Sequence, residues 1–185
     1  MSLNHQQGFN LIEALIALVL LTIGLLGVAA MQITAVRNTQ GSYARTQATT
    51  IMNDLAERIY ANTLAAANYG AYDSTAAGSC NVPATLCAME SSTAVAACTP
   101  AQMATYDLYV TGCGTSGART LLTAGSLQTS CLDNTSGVVA ACATGLRIRI
   151  TVNWTERGTV VENASAAAME ASNLVPQSIN LVIQP

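Results

Sequence analysis

The sequence has few charged and few aromatic side chains, and it contains no lysine. Charged residues make up 9% and aromatic residues 4% of its 185 residues, and all seven basic residues are arginine. A net charge of -3 with so few cations argues against nucleic acid as a partner, because phosphate binding requires a concentrated basic surface. The shortage of aromatic residues predicts a core of aliphatic side chains that needs additional stabilisation.

Histidine is also nearly absent, since His5 is the only one in the chain. A hydrolase needs a base beside its nucleophile, and no Gly-rich phosphate loop, HExxH or EF-hand pattern occurs. The only close acidic pair, Asp54 and Glu57, falls on the polar side of a predicted helix. We therefore predict that the protein is not an enzyme and has neither a cofactor nor a metal site.

Six cysteines follow residue 79, and none of them forms a CxxC pair. An even number without metal-ligand spacing predicts disulfides, ahead of free thiols and of a metal site. The pairing is open, except that Cys131 and Cys142 flank a short turn and are predicted to be linked. Disulfides require an oxidising compartment, which places the chain after about residue 35 outside the cytoplasm. The candidates are Cys80, Cys87, Cys98, Cys113, Cys131 and Cys142.

A long uncharged segment precedes the cysteines. The 18 residues from Ala14 to Met31 carry no charge, and the apolar character continues to Ile33. As a helix this segment spans roughly 27 Å, close to the thickness of a bilayer core. It is too long for a secretory signal, and no small-residue cleavage site follows it. The simplest interpretation is a transmembrane anchor.

One acidic residue, Glu13, lies at the edge of this apolar segment without a basic residue before it. A carboxylate at membrane depth costs about 2.5–3.5 kcal/mol, so it usually has a partner and a role. Cleavage between Gly8 and Phe9 would create an α-amine one helical turn before Glu13. Glu13 would then lie in the first turn of the helix, where exposed N–H groups favour an anion. We predict that the amine and the carboxylate pair within one chain or between neighbours.

These residues resemble a known processing motif. The run Gly8-Phe9-Asn10-Leu11-Ile12-Glu13 is similar to the class III leader motif of type IV prepilins. The resemblance implies that prepilin peptidase removes residues 1–8 by cutting after Gly8 and that Phe9 is N-methylated. It also implies that Glu13 helps to dock each incoming subunit on its neighbour during assembly.

The orientation of the chain in the membrane follows from the same resemblance. Leaders of this family usually contain lysine or arginine, whereas residues 1–8 contain neither. The positive-inside rule, with Arg37 and Arg45 after the helix, would place the C-terminal part in the cytoplasm. The cysteines and the cleavage motif favour the opposite arrangement. We expect a single pass through the bacterial inner membrane, with a cytoplasmic N-terminus and a periplasmic head, before transfer to the pilus at the cell surface.

The apolar segment is predicted to continue as a second, amphipathic half of the same helix. Residues 9–33 would form the transmembrane or filament-core half and residues 34–61 the amphipathic half. Asp54 and Arg58 form an i,i+4 pair on its flank. An apolar stripe recurs at three- and four-residue steps and is predicted to face the core of the head. The stripe consists of Ala44, Ala48, Ile51, Met52, Leu55 and Ile59.

The remaining residues, 62–185, are predicted to form a globular head. Residues 62–98 show no sustained periodicity and are interpreted as a cysteine-rich loop. A capping-box pattern at Thr99-Pro100-Ala101-Gln102 predicts a short helix over 99–112. The alternative for this segment is a strand at Tyr106–Val110. Residues 126–185 are predicted to form an antiparallel sheet of three to four strands. Its strands are expected at Ser126–Cys131, Leu146–Trp154, Thr159–Glu162 and Ser178–Ile183, with a turn at Glu156–Gly158.

The prediction is therefore an α+β, disulfide-stapled, type IV pilin-like fold, in which the amphipathic half of the helix packs on the apolar face of a small sheet. On the other face, Arg147 and Arg149 are interpreted as a solvated surface in preference to a docking site. Two further runs, Cys98–Leu108 and Leu146–Trp154, look like those of PilV-type minor pilins, also called type IV pilus modification proteins.

That second resemblance implies a minor pilin that primes assembly of a type IV pilus or forms part of its tip complex. The implied partners are other minor and major pilins, prepilin peptidase, the inner-membrane assembly platform and a tip adhesin, and the implied roles are motility and adhesion. Two alternatives are open, a minor pseudopilin of a type II secretion system and a membrane-anchored adhesin or DNA-uptake protein. The sparse arginines argue against binding of DNA.

Overall fold

The computed structural model describes residues 11–87, 97–133, 137, 142, 147–157 and 174–185. The chain divides into two compact units, Met1–Gln40 and Gly41–Pro185, which are considered separately. The predicted leader, the predicted cleavage site at Gly8 and Phe9, and the predicted strand Thr159–Glu162 lie outside the described residues.

Helix α1, Leu11–Ala61, starts in the first unit and ends in the second. Every residue from Leu11 to Gln40 is exposed. The hydroxyl groups of this part bond to the helix itself: Thr22 Oγ1 donates to the carbonyl of Val19 at 2.8 Å, and Thr34 Oγ1 donates to that of Ala30 at 3.2 Å. Among the described residues, α1 is the one helix that is long and apolar enough to cross a membrane.

In the second unit, the last five turns of α1 supply one side of the core. The predicted stripe is buried from Ala48 to Ile59, and Ala44 is partly buried at its start. Ala56 completes the stripe, because it lies beside Met52 and Ile59 on the helix surface. Complete burial of each large aliphatic side chain contributes about 1.5–3 kcal/mol. The sheet side of the same cluster consists of Leu127, Cys131, Ile148, Ile150, Val152, Trp154 and Ile183.

Within the described residues, four antiparallel strands form one sheet in chain order: β1 Tyr72–Asp73, β2 Ser126–Leu132, β3 Arg147–Arg157 and β4 Leu174–Ile183. The alternation predicted for the third strand is correct, because its even-numbered residues from Ile148 to Trp154 are buried. Strand β1 lies within residues 62–98, for which the sequence predicts a loop.

The predicted turn at Glu156–Gly158 is wrong for its first two residues, since β3 continues through Arg157. Glu156 pairs with Val175, and Arg157 pairs with Leu174 on β4. Glu156 is also held by its side chain, because its Oε1 accepts a hydrogen bond from Trp154 Nε1 at 2.8 Å. Pairing with β4 and this bond outweigh the turn preference of the local sequence.

Helix α2, Pro100–Cys113, forms where the capping box predicts it, and the alternative strand at Tyr106–Val110 is wrong. The Thr99 hydroxyl accepts from the Gln102 backbone N–H at 3.3 Å, and the Gln102 side chain accepts from the Thr99 N–H at 2.9 Å. The predicted loop 62–98 also contains a 3-10 helix, Thr63–Tyr69, besides β1. Helix α3, Ala118–Leu121, is a single turn that the sequence analysis missed.

Candidate assembly helix and the head that carries it

Within the first unit, the part of α1 from Leu11 to Val36 presents an apolar surface with a single charge on it. Glu13 is the only charged residue between Leu11 and Val36, and it lies in the first turn of α1 as the structure describes it. The large apolar side chains around it are exposed on every face, with Leu11 at 88% and Leu26 at 71% of their possible accessible area. A helix that is apolar on all sides is stable only inside a membrane or among other helices.

Two glycines, Gly24 and Gly27, lie in the middle of this surface. A Cβ atom placed on either glycine would meet no atom within 4 Å, so packing within the chain does not require glycine at these positions. Glycine costs about 1 kcal/mol relative to alanine inside a helix. Small residues do allow neighbouring helices to approach closely in apolar surroundings.

A buried carboxylate, Asp107 on α2, joins three elements of the head. Arg58 Nη1 on α1 donates to Asp107 Oδ1 at 2.8 Å, and Tyr69 Oη at the end of the 3-10 helix donates to Asp107 Oδ2 at 2.6 Å. Asn62 Nδ2 donates both to Tyr69 Oη at 3.1 Å and to the carbonyl of Pro100 at 2.8 Å. The side chain of Asp107 is only 5% exposed, so both of its carboxylate oxygens depend on these donors.

The protonation states of this cluster follow from its surroundings. Burial raises the pKa of the Tyr69 phenol above its ordinary value, and the hydrogen bond to Asp107 raises it further. Burial alone would lower the pKa of Arg58, but hydrogen bonds to Asp107 and Asp54 raise it above its ordinary value. The i,i+4 pair predicted between Asp54 and Arg58 is present, with Arg58 Nε 3.0 Å from Asp54 Oδ2. The cluster therefore contains a charged arginine and a neutral tyrosine.

The six cysteines form three disulfides, as the sequence predicts, and none of them is free. The predicted link between Cys131 and Cys142 is present, and the other two bridges are Cys80–Cys113 and Cys87–Cys98. A Cβ on Gly70 would lie 1.9 Å from Cys142 Sγ, so glycine is required where the end of the 3-10 helix contacts this bridge. The disulfides supply the covalent stabilisation that a core with few aromatic residues needs.

A salt bridge also connects the exposed flank of α1 to the sheet within the second unit. Arg45 Nε lies 3.5 Å from Glu156 Oε1, the oxygen that also accepts from Trp154. Arg45 is largely exposed, so the pair itself contributes at most about 1 kcal/mol.

No group of three metal-ligating side chains occurs within the part of the chain that the structure describes. A groove of about 390 Å³ on the described surface lies beside β1 and the outer face of β2 and β3. Its lining includes Asp73, Gln128 and Arg149 but no nucleophile beside a base. These side chains do not form the arrangement that hydrolytic chemistry requires.

The site residues predicted from the sequence fall into two groups, those that the structure describes and those outside the described residues. Glu13 is described and exposed, whereas Gly8 and Phe9, which define the predicted cleavage and methylation, lie outside the described residues. The cluster around Asp107 was missed, because a single aspartate in a helix gives no sequence signal for a partner 49 residues away.

Comparison with known families gives two matches. The family described as Tt1218-like, type IV pilin Tt1218, matches residues 30–109. The prokaryotic N-terminal methylation motif matches residues 3–29, the segment that contains Gly8, Phe9 and Glu13. No curated protein and no solved structure matches the chain significantly. The long N-terminal helix, four-stranded antiparallel sheet and three disulfides form the α+β, pilin-like fold predicted from the sequence.

Proposed function

We propose that the protein is a minor pilin. The methylation motif and the match to a type IV pilin family support this proposal, and that family is structural and not enzymatic. In this proposal the protein primes assembly of a type IV pilus or belongs to its tip complex, as PilV-type minor pilins do. The observation that carries the proposal is Glu13, the one carboxylate on the exposed apolar surface of residues 11–36.

The exposed helix indicates how the subunit would be held. Apolar side chains on all sides of residues 11–36 favour lipid before assembly and the helices of other pilins afterwards. Gly24 and Gly27 would allow those helices to approach. The proposed partners are minor and major pilins through this helix, prepilin peptidase, the inner-membrane assembly platform and a tip adhesin.

The proposed processing has a defined chemical product. Removal of residues 1–8 leaves Phe9 as the N-terminus, and its α-amine is one helical turn from Glu13. The positive amine offsets the cost of a carboxylate in apolar surroundings, within one chain or between two subunits. The proposed route therefore begins in the inner membrane, with the N-terminus in the cytoplasm and the head in the periplasm, and ends in the pilus.

We expect the protein purified from sheared fibres to begin at N-methylated Phe9. Mass spectrometry of the intact protein and of its N-terminal peptide measures this directly. Replacing Gly8 with valine should reduce the processed fraction at least about tenfold, because a β-branched side chain would obstruct the scissile bond. Gln7→Ala serves as the matched control and should be processed normally. Recovery of residues 1–8 on fibre-borne protein would disprove the processing step.

Deleting the protein should distinguish a pilus from a secretion pseudopilus. We expect surface pili, counted by electron microscopy and by the yield of sheared fibres, to fall at least about tenfold, while secretion of exoproteins stays at the wild-type level. A normal number of pili together with lost secretion would instead identify a minor pseudopilin of a type II secretion system. Both kinds of subunit use the same precursor processing, so the deletion phenotype is the measurement that separates them.

A further inference from the structure

The three disulfides of the head lie in different surroundings. The Cys80–Cys113 bridge joins the turns after β1 to the last residue of α2, and both of its cysteines are only partly buried. By contrast, Cys131 is 2% and Cys87 is 7% exposed. Their partners, Cys98 and Cys142, are partly buried, so each of those bridges has one partly exposed cysteine where Cys80–Cys113 has two. A thiolate must reach a sulfur atom to break a disulfide, and partial exposure of both cysteines favours reaction at Cys80–Cys113.

A guanidinium group lies against one sulfur of this bridge. Arg119 Nη1 is 3.1 Å from Cys80 Sγ and donates to the carbonyl of Ser74 at 3.0 Å. Ser74 is a fixed anchor, because it is fully buried and exchanges backbone and side-chain hydrogen bonds with Leu127. Among the described residues, Arg119 forms no salt bridge, so no carboxylate neutralises its charge.

The other sulfur faces a neutral group. Tyr72 Oη lies 3.5 Å from Cys113 Sγ. Burial raises the pKa of Tyr72 to about 12, which keeps its phenol protonated near neutral pH. No anion is therefore placed beside Cys113 by this tyrosine, and an approaching thiolate is not repelled there. The two sulfurs of one bridge thus differ: Cys80 Sγ has the Arg119 cation at 3.1 Å and the neutral carbonyl of Ser74 at 3.4 Å, whereas Cys113 Sγ has a hydroxyl.

We propose that Cys80–Cys113 is a thiol–disulfide exchange site, in which an incoming aliphatic thiolate attacks Cys113 and Cys80 is the leaving group. The attack forms a bond between the incoming sulfur and Cys113 Sγ and breaks the Cys80–Cys113 bond. The electron pair of the broken bond remains on Cys80 as a thiolate beside Arg119. A second thiolate then attacks the mixed disulfide, releases Cys113 and leaves as the oxidised dimer of the reagent.

The physical basis of the asymmetry is the stability of the leaving thiolate. A cation in contact with a sulfur lowers the pKa of the corresponding thiol, and a disulfide breaks faster toward the sulfur of lower thiol pKa. Within the described part of the head, no guanidinium lies within hydrogen-bond distance of a sulfur in the other two bridges. Exchange is consequently directed both to one bridge and to one of its two sulfurs.

The test treats the folded full-length protein in detergent with 2-mercaptoethanol and traps free thiols by alkylation at successive times. Peptide mapping then identifies the bridge that opens and the sulfur that carries the reagent. We expect Cys80–Cys113 to open first, with the mixed disulfide on Cys113 and the alkylated thiol on Cys80. Earlier opening of another bridge, or a mixed disulfide on Cys80, would overturn the proposal.

Arg119→Gln separates electrostatic assistance from simple structural support. Loss of the charge should slow opening of this bridge about threefold, as expected for a change of about one unit in the leaving thiol's pKa. A merely structural arginine predicts the opposite sign, because loosening the Ser74 anchor would expose the bridge and speed its reduction. Arg119→Lys should remain within about twofold of wild type, and Arg149→Gln, which touches no sulfur, should leave the rate unchanged. Faster opening in Arg119→Gln would disprove the proposal.

Discussion

Replacing Glu13 with valine should leave the protein cleaved and inserted in the membrane but lower its incorporation into fibres about thirtyfold. The proposed pairing of Glu13 with the α-amine of Phe9 is a hydrogen-bonded charge pair in apolar surroundings. Truncating one partner of such a pair costs about 2 kcal/mol or more, and about 2 kcal/mol corresponds to roughly thirtyfold in an equilibrium constant. Membrane insertion should improve slightly, because a carboxylate is removed from the apolar helix.

The measurement compares the amounts of the variant in the membrane and in sheared fibres by quantitative immunoblotting. Glu57→Gln is the matched control, because it removes an exposed carboxylate from the same helix outside the apolar segment. Glu13→Gln tests charge without a change of size and should behave like the valine variant. Equal amounts of Glu13→Val and wild type in fibres would refute the pairing, whereas loss of the variant from membranes would point to an insertion defect.

Replacing Arg58 with methionine should destabilise the head by about 3 kcal/mol, the lower end of the cost of breaking a buried ion pair. The side chain of Asp107 is 5% exposed, so in the variant its carboxylate retains Tyr69 as a donor but loses its compensating charge. The exposed pair with Asp54 adds only a few tenths of a kcal/mol to the effect.

Urea unfolding of the full-length protein in detergent measures this effect. Trp154, the only tryptophan, is 2% exposed in the head and reports its unfolding by fluorescence. In an Asp107→Asn background the same Arg58→Met change should cost about 1 kcal/mol, since no buried charge is left unpaired. Arg149→Gln, a matched arginine without a partner among the described residues, should shift the unfolding free energy by no more than about 0.5 kcal/mol. Equal costs of Arg58→Met in both backgrounds would disprove the role given to Asp107.

The predictions that succeeded rest on local or periodic signals. The apolar stripe from Ala48 to Ile59 follows the helical period, and the alternation from Ile148 to Trp154 follows the strand period. The capping box of Thr99 and Gln102 defines the start of α2 within four residues. Each of these signals is complete within its own segment. The prepilin motif is also a local signal and the methylation-motif match covers it, whereas cleavage after Gly8 and methylation of Phe9 stay predictions.

The features that were missed depend on partners far away in the sequence. Strand β1 is two residues long and exists because Tyr72 and Asp73 pair with Thr129 and Gln128. The 3-10 helix ends at Tyr69, which is fixed by Asp107 on α2. Neither segment is long enough to show a period, so only tertiary contacts determine its conformation.

The position of the three disulfides has a mechanical consequence. All six cysteines follow α1, so no covalent cross-link joins this helix to the sheet beneath its last turns. A pulling force applied through the helix is resisted there by aliphatic contacts, by the Arg58–Asp107 ion pair and by the weaker Arg45–Glu156 pair. Under tension the helix should therefore peel away first, while the loops closed by the three bridges cannot extend. The segments outside these loops, among them β3 and β4, can then be drawn out.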